Sequence, residues 1–352
     1  MAGAAPKKIR TLVVDDSALA RQMVARALRT DPSVEVVGTA DDPYEARERI
    51  LELHPDVVTL DVEMPRMDGI TFLRILMKHH PMAVVIVSTF TQAGSAKALE
   101  ALEAGAVEVL GKPANSVEIP EFEAQLLQKV KSAAAARLSR ARKGEPAAVK
   151  PAPNGVADRR QVILLGASTG GTEALKEVLT RLPDGLPPIC IVQHIPAYIS
   201  KQFAERLNDL CAMEVREAQE GDVLLGGLAL VAPGGYHMSL RRTMGHYQVR
   251  LDQTPPVNYQ RPSVDVLFDS AASCVGRHAI AALLTGMGKD GATGMKKLRE
   301  AGALTIAQDE ETSVVFGMPR AAIELGAARY VYPLEDIAGG ILNCLRKRKV
   351  AT

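Results

Sequence analysis

Ser168, His194 and Asp290 are the three side-chain types that make a nucleophile, a base and an orienting carboxylate. A hydroxyl is a weak nucleophile until a neighbour takes its proton, and an imidazole does this best when a buried carboxylate holds its tautomer. Each of the three stands just past an apolar run: Val162-Ile163-Leu164-Leu165, Ile189-Cys190-Ile191-Val192, and Ala279-Ile280-Ala281-Ala282-Leu283-Leu284. Uninterrupted runs of this length, bounded by Gly or Pro, read as buried parallel strands. An open parallel sheet gathers its chemistry beyond the carboxyl ends of its strands, so three distant residues can meet there. Such a constellation cuts an ester or an amide.

The segment Gly166-Ala167-Ser168-Thr169-Gly170-Gly171-Thr172-Glu173 predicts a strand, a tight turn and a helix start. Ser168 then lies near the positive end of a helix, where a developing anion is stabilised. The pattern G-x-S-x-G is met, but the order Ser, His, Asp differs from the Ser, Asp, His of α/β-hydrolases. A dinucleotide site fails on spacing, and Gln193-His194 ends the next strand where an acid should meet the ribose. Of the seven histidines, His54, His79 and His80 fall at helix ends, and His237, His246 and His278 fall in loops or hairpins, where capping or surface roles are expected. His194 alone directly follows a buried strand. In Gly286-Met287-Gly288-Lys289-Asp290-Gly291 the glycines let amides turn toward an oxyanion, and Met287 can donate one.

A second constellation lies in the first half. Strands are predicted at Ile9–Val14, Val34–Thr39, Val57–Leu60, Ala83–Val87 and Val107–Leu110, with helices near 17–30, 43–53, 69–80, 94–104 and 119–138. Such alternation makes one doubly wound domain. Asp15-Asp16, Asp61, Ser88-Thr89 and Lys112-Pro113 all follow strands and share one edge. Three carboxylates on one edge repel unless cations intervene; Lys112 brings one charge and a hard divalent ion such as Mg²⁺ two more.

A chain of 352 residues exceeds one ordinary domain, and ~150 residues each suggests two. The net charge of +1 carries no bulk argument for nucleic acid or an anionic membrane. Met1 to Arg10 has no apolar h-region and no stretch approaches the ~20 apolar residues of a span, so no membrane insertion and a cytoplasmic location are expected. Cys190, Cys211, Cys274 and Cys344 show no C-x-x-C spacing and read as buried thiols. An Ala, Lys and Arg-rich helix from Gln125 gives way to Pro146, Pro151 and Pro153 with Gly144 and Gly155. The expected division is a doubly wound domain at 1–130, a linker at 131–159 and a hydrolytic domain at 160–349. The basic residues around the linker read first as a solvated tail and second as a docking segment for an acidic partner.

Residues 8–130 resemble the receiver domain of two-component response regulators, on Val13-Val14-Asp15-Asp16-Ser17, Thr59-Leu60-Asp61-Val62-Glu63-Met64-Pro65-Arg66-Met67-Asp68-Gly69, Ser88 and Gly111-Lys112-Pro113. The resemblance implies that Asp61 is the phosphoacceptor, that Asp15, Asp16, Asp61 and the Glu63 carbonyl hold Mg²⁺, and that Ser88 and Lys112 are the phosphate switch. Many receivers have an aromatic residue three positions before the lysine; here it is Val109, so the switch must work through packing.

From residue 160 the chain resembles the CheB family of chemotaxis protein-glutamate methylesterases. Besides the three loops, the likeness rests on Ala232-Pro233-Gly234-Gly235-Tyr236-His237-Met238, Arg261-Pro262-Ser263-Val264-Asp265-Val266-Leu267-Phe268 and Ala307 through Pro319. It implies a Rossmann-like parallel-sheet catalytic domain that removes methyl esters from glutamates of methyl-accepting chemoreceptors and deamidates receptor glutamines. Ser168, His194 and Asp290 would be catalytic, with the Met287 amide in the oxyanion hole and no cofactor for ester hydrolysis. A chemotaxis histidine kinase would be the phosphodonor. Asn258-Tyr259-Gln260 stands where many relatives have a histidine before Arg261, and His237 and Asp265 are structural or substrate-positioning candidates. The unmodified receiver is expected to block the catalytic cleft and phosphorylation to open it. Two alternatives are weighed. A transcriptional response regulator needs a terminal helix-turn-helix that 160–350 does not offer, and a non-catalytic scaffold would leave Ser168 unreactive.

Overall fold

A computed structural model of the chain describes residues 7–89, 95–137 and 160–350. They fall into two compact units, Met1–Leu138 and Ser139–Thr352.

The first unit alternates β1 (Ile9–Val14), α1 (Ala18–Arg29), β2 (Val34–Ala40), α2 (Pro43–Leu53), β3 (Val57–Leu60), α3 (Gly69–His79), β4 (Ala83–Ser88), α4 (Ser95–Glu103), β5 (Glu108–Gly111) and α5 (Ile119–Ala134). The strands pair in parallel in the order β2-β1-β3-β4-β5. Helices on both faces explain why β3 and β4 are buried at every position. Short polar residues start the helices: Ser17 Oγ accepts from the Ala20 amide, Asp42 from Tyr44 and Glu45, and Asp68 from Thr71. The expected elements are present, but α5 stops at Ala134 rather than 138. Past Ala133 no side chain is fully buried to hold the helix. Its last turn occupies the first residues assigned to the linker. Lys129 and Lys131, among the basic residues that lead into the linker, pair with Glu108 at 2.7 Å and Asp31 at 2.6 Å within this unit. The rest of the linker, 138–159, lies outside the described residues.

The second unit comprises β6 (Val162–Ala167), α6 (Gly171–Thr180), β7 (Ile189–Gln193), α7 (Ala197–Leu210), β8 (Glu214–Glu217), β9 (Leu228–Val231), β10 (His237–Thr243), β11 (His246–Asp252), α8 (Val264–Cys274), β12 (Ala279–Leu283), α9 (Ala292–Glu300), β13 (Leu304–Gln308), α10 (Met318–Glu324), β14 (Tyr330–Tyr332) and α11 (Leu334–Val350). Among the described residues a seven-stranded parallel sheet runs β14-β13-β12-β6-β7-β9-β8, beside the antiparallel hairpin β10-β11. The three strands singled out from their apolar runs are central neighbours, in the order β12-β6-β7. The chain order reverses at β6, which places the switch crevice of a doubly wound sheet at its carboxyl end. The four cysteines are free thiols. Among the described residues no helix is long and apolar enough to cross a membrane.

Candidate active site and phosphoacceptor site

The register of the central strands determines what meets at the switch point. Leu283 pairs with Gly166, and Ala167 with Gln193, so Ser168, His194 and the loop after β12 leave the sheet side by side. Backbone bonds tie these exits together: the Ser168 amide donates to Thr285 O at 3.0 Å and the His194 amide to Ala167 O at 3.1 Å. Gly170, at φ +75, turns the chain into α6, whose first amide donates to Ser168 O at 2.7 Å. Ser168 therefore sits at the positive end of that helix.

Asp290 is the most heavily bonded residue here and is only 2 % exposed. Its Oδ2 accepts from His194 Nε2 at 2.8 Å and the Val264 amide at 2.6 Å; its Oδ1 accepts from Ser263 Oγ at 2.7 Å, Asn258 Nδ2 at 3.0 Å and the Asp265 amide at 3.2 Å. Burial pushes the carboxyl up, but the donors from His194, Ser263 and Asn258 outweigh it and hold Asp290 down at about 2. An ionised Asp290 can only accept, so His194 Nε2 carries a proton and Nδ1 presents the lone pair. Nδ1 is buried and has no hydrogen-bond partner, and the Ser168 hydroxyl makes no bond among the described residues. A base and a hydroxyl are thus held on one strand edge with their bonding capacity free.

The loop from Gly286 to Asp290 closes over Ser168. A Cβ on Gly286 would stand 2.7 Å from Ser168 Cβ and also against Met318 Sδ, while one on Gly317 would meet Gly286 O at 2.7 Å and Gly288 N at 2.8 Å. Only glycines fit where the two turns press together beside Ser168. The Gly286 amide is bonded to Val315 O at 3.0 Å, whereas the Met287 amide makes no hydrogen bond among the described residues. It is a free donor beside the serine.

Several supporting residues were not picked out from the sequence. Asn258 bridges two carboxylates, reaching Asp290 Oδ1 and Asp265 Oδ2 at 3.0 Å each. Gln193 Nε2 donates to Ser168 O at 2.8 Å and His194 O at 3.2 Å, joining the two turns through one buried amide. Gln308 accepts from the Thr285 amide at 2.8 Å, and Thr285 Oγ1 donates to Thr169 O at 2.9 Å. The available signal was that Gln193, Thr285 and Gln308 each interrupt an apolar run at its carboxyl end. Nothing local marked Asn258.

His237 departs from the expected surface or capping role. It is fully buried; its Nδ1 accepts from the Ser263 amide at 3.2 Å and its Nε2 donates to Pro255 O at 3.2 Å. It pins the 253–263 loop whose Ser263 and Asn258 hold Asp290. Asp265 accepts from the Gly294 amide at 2.7 Å; burial and the nearby Asp290 charge push its carboxyl up. Both belong to the frame around Asp290.

On the first unit, the residues at the strand ends also converge. Lys112 Nζ lies 2.6 Å from both Asp15 Oδ2 and Asp61 Oδ2, and Ser88 Oγ donates to Asp61 Oδ1 at 2.5 Å. The Val62 amide adds a bond to Asp61 Oδ1 at 2.6 Å. Burial pushes Asp15 up despite Lys112, while burial alone would push Lys112 down and its two carboxylate partners hold it up. Ligand atoms of Asp15, Asp16 and Asp61 lie within 4.8 Å of one another. Their three charges against one from Lys112 leave an excess of two, which suits a divalent hard cation. The Glu63 side chain turns away to Lys97 at 3.3 Å, leaving its backbone carbonyl as the group a metal could use. Val109 is buried in β5.

Residues 163–341 match the family model for the CheB methylesterase and residues 11–122 that for the response regulator receiver domain. A protein-glutamate methylesterase/protein-glutamine glutaminase of Syntrophotalea carbinolica is 50 % identical over 98 % of this chain and all of its own length. One from Anaeromyxobacter dehalogenans is 50 % identical over 96 % of this chain and 95 % of its own. The solved catalytic domain of the Thermotoga maritima CheB methylesterase superposes with a TM-score of 0.51 at 38 % identity, covering 52 % of this chain and 97 % of that one. With both domain models matched and full-length relatives at half identity, the chain belongs to the CheB methylesterase family, with a receiver domain at its N-terminal end.

Proposed function

We propose that the protein is a phosphorylation-activated esterase that removes methyl groups from glutamate side chains of chemoreceptors and deamidates receptor glutamines. The activity follows the names of its relatives; the observation that carries the mechanism is the 2.8 Å bond between Asp290 and His194 on the strand edge that also bears Ser168. In this reading Ser168 Oγ attacks the ester carbonyl as its proton passes to His194 Nδ1. The Met287 amide takes the developing oxyanion. Collapse expels the methoxy group, which leaves as methanol with the proton from His194, and Ser168 is left acylated. Water, deprotonated by His194, then attacks the acyl group and frees Ser168 and a glutamate carboxylate. With glutamine, ammonia leaves instead. Asp290, fed by four donors besides His194, keeps the imidazole in one tautomer throughout.

The receiver half supplies regulation. Asp61 accepts a phosphoryl group from a chemotaxis histidine kinase in the cytoplasm. Mg²⁺ bound by Asp15, Asp16 and Asp61 would neutralise the transferring phosphoryl oxygens. Lys112 and Ser88, already bonded to Asp61, follow the new charge inward, and that movement raises the hydrolase rate.

A fluorophosphonate probe tests the chemistry. The 150–352 fragment should be labelled at Ser168 and hydrolyse esters undiminished in EDTA, whereas phosphotransfer to Asp61 should stop without Mg²⁺ or Mn²⁺. An unlabelled Ser168 would favour a scaffold, and EDTA inhibition of the fragment would contradict the triad mechanism. Removal of residues 1–145 should raise the basal rate. A truncated protein no faster than the unphosphorylated whole would mean that the receiver activates without first inhibiting.

A further inference from the structure

The turn that carries Asn258 also carries an aromatic residue that folding does not explain. Val257 and Gln260 exchange backbone bonds of 3.1 and 2.9 Å, and between them Asn258 has φ 51° and Tyr259 φ 64°. Two positive φ values mark the hairpin geometry whose usual pair is Asn-Gly, because the second position rejects a Cβ. Asn tolerates this backbone; a tyrosine there is strained. Its side chain recovers nothing by burial, being 91 % exposed, and among the described residues it has no hydrogen bond, ring stacking or cation contact. Its neighbour Asn258 is bonded to Asp290, so the exposed ring is carried by the same turn that holds the carboxylate of the candidate active site. A second half-exposed ring, Tyr236, lies on the adjoining turn, where the Gly235 amide donates to Arg261 O at 3.1 Å. The chain has no Trp and only seven Tyr, yet two stand outward on these adjoining turns.

We propose that Tyr259 is a specificity-determining contact for the protein substrate, packing against the receptor segment that presents the methylated glutamate. This rests on the proposed methylesterase activity. A rigid aromatic with two torsions forms such contacts at low entropic cost, and exposed tyrosines are common binding anchors. The strain of the left-handed tyrosine is then a cost borne for recognition.

Steady-state kinetics on the full chain with a phosphodonor test this, using a methyl-esterified receptor cytoplasmic fragment and p-nitrophenyl acetate as the two substrates. Tyr259→Ala and Tyr259→Gly should each raise KM for the receptor fragment about tenfold, with the loss absent on p-nitrophenyl acetate. Tyr259→Phe should retain the wild-type KM. The Gly variant should also melt higher than wild type, since glycine removes the strain, which separates lost recognition from lost folding. An unchanged KM in both variants would overturn the proposal. Equal losses on both substrates would also overturn it, because the turn would then act through Asn258 and Asp290. A raised basal rate in the unphosphorylated Ala variant would assign the ring to the receiver instead. If the wild-type protein released no methanol from the fragment, the proposed function itself would fall and this inference with it.

Discussion

Ser168→Ala should lower methanol release from methylated receptors by at least about 10³-fold while phosphorylation of Asp61 proceeds at the wild-type rate. Removing the hydroxyl deletes the atom that forms the acyl bond and leaves the Met287 amide and the substrate contacts in place, so only residual catalysis remains. The fold should tolerate the change, because Ser168 is held through its backbone, by Thr285 O, the α6 amide and Gln193, and its hydroxyl supports nothing else. Retention of more than about a tenth of the wild-type rate, against the orders of magnitude usual for a lost nucleophile, would remove Ser168 from that role.

Asp290→Asn should have an effect of similar size on kcat, about 10³–10⁴-fold, by a different route. All five groups around the carboxylate are donors. An amide NH₂ placed among them faces donors with a donor, and His194 loses the partner that makes Nε2 carry the proton. The variant should also lose about 1–3 kcal/mol of stability at neutral pH from unsatisfied buried groups. The pH dependence is signed. A carboxyl depressed from 3.8 to about 2 on folding contributes stability above pH ~4 and loses it as pH falls toward ~2. Urea melts of wild type and variant should therefore converge as pH drops through that window. Parallel curves would show that the donors do not stabilise the ionised carboxyl.

The strand-ending residues were legible in the sequence because parallel strands buried on both faces are marked by continuous apolar runs. Ser168, His194, Asp290, Asp15, Asp61, Ser88 and Lys112 all stand at such ends, and the structure brings each group of them together. The frame behind Asp290 was not legible. Asn258 and Ser263 reach it from a loop between β11 and α8, which His237 pins from β10, and the path of that loop depends on tertiary contacts rather than on any period of two or 3.6. His237 is instructive: it opens a hairpin strand, which suggested a surface position, but the hairpin lies against α8 and buries it completely. The end of α5 was also misplaced, because an alanine-rich run has helix propensity well past the last residue that packs.

On the proposed function, one chain couples phosphorylation at Asp61 to ester hydrolysis at Ser168. The most direct test of this coupling is methanol release from methylated receptor membranes, with and without a small-molecule phosphodonor, by the wild-type protein and by Asp61→Asn. The wild-type rate should rise at least about tenfold with the phosphodonor, a shift of only about 1.4 kcal/mol, and Asp61→Asn should stay at the unstimulated rate throughout. Equal rates with and without the phosphodonor in a protein shown to be phosphorylated at Asp61, or an undiminished response in Asp61→Asn, would contradict the coupling.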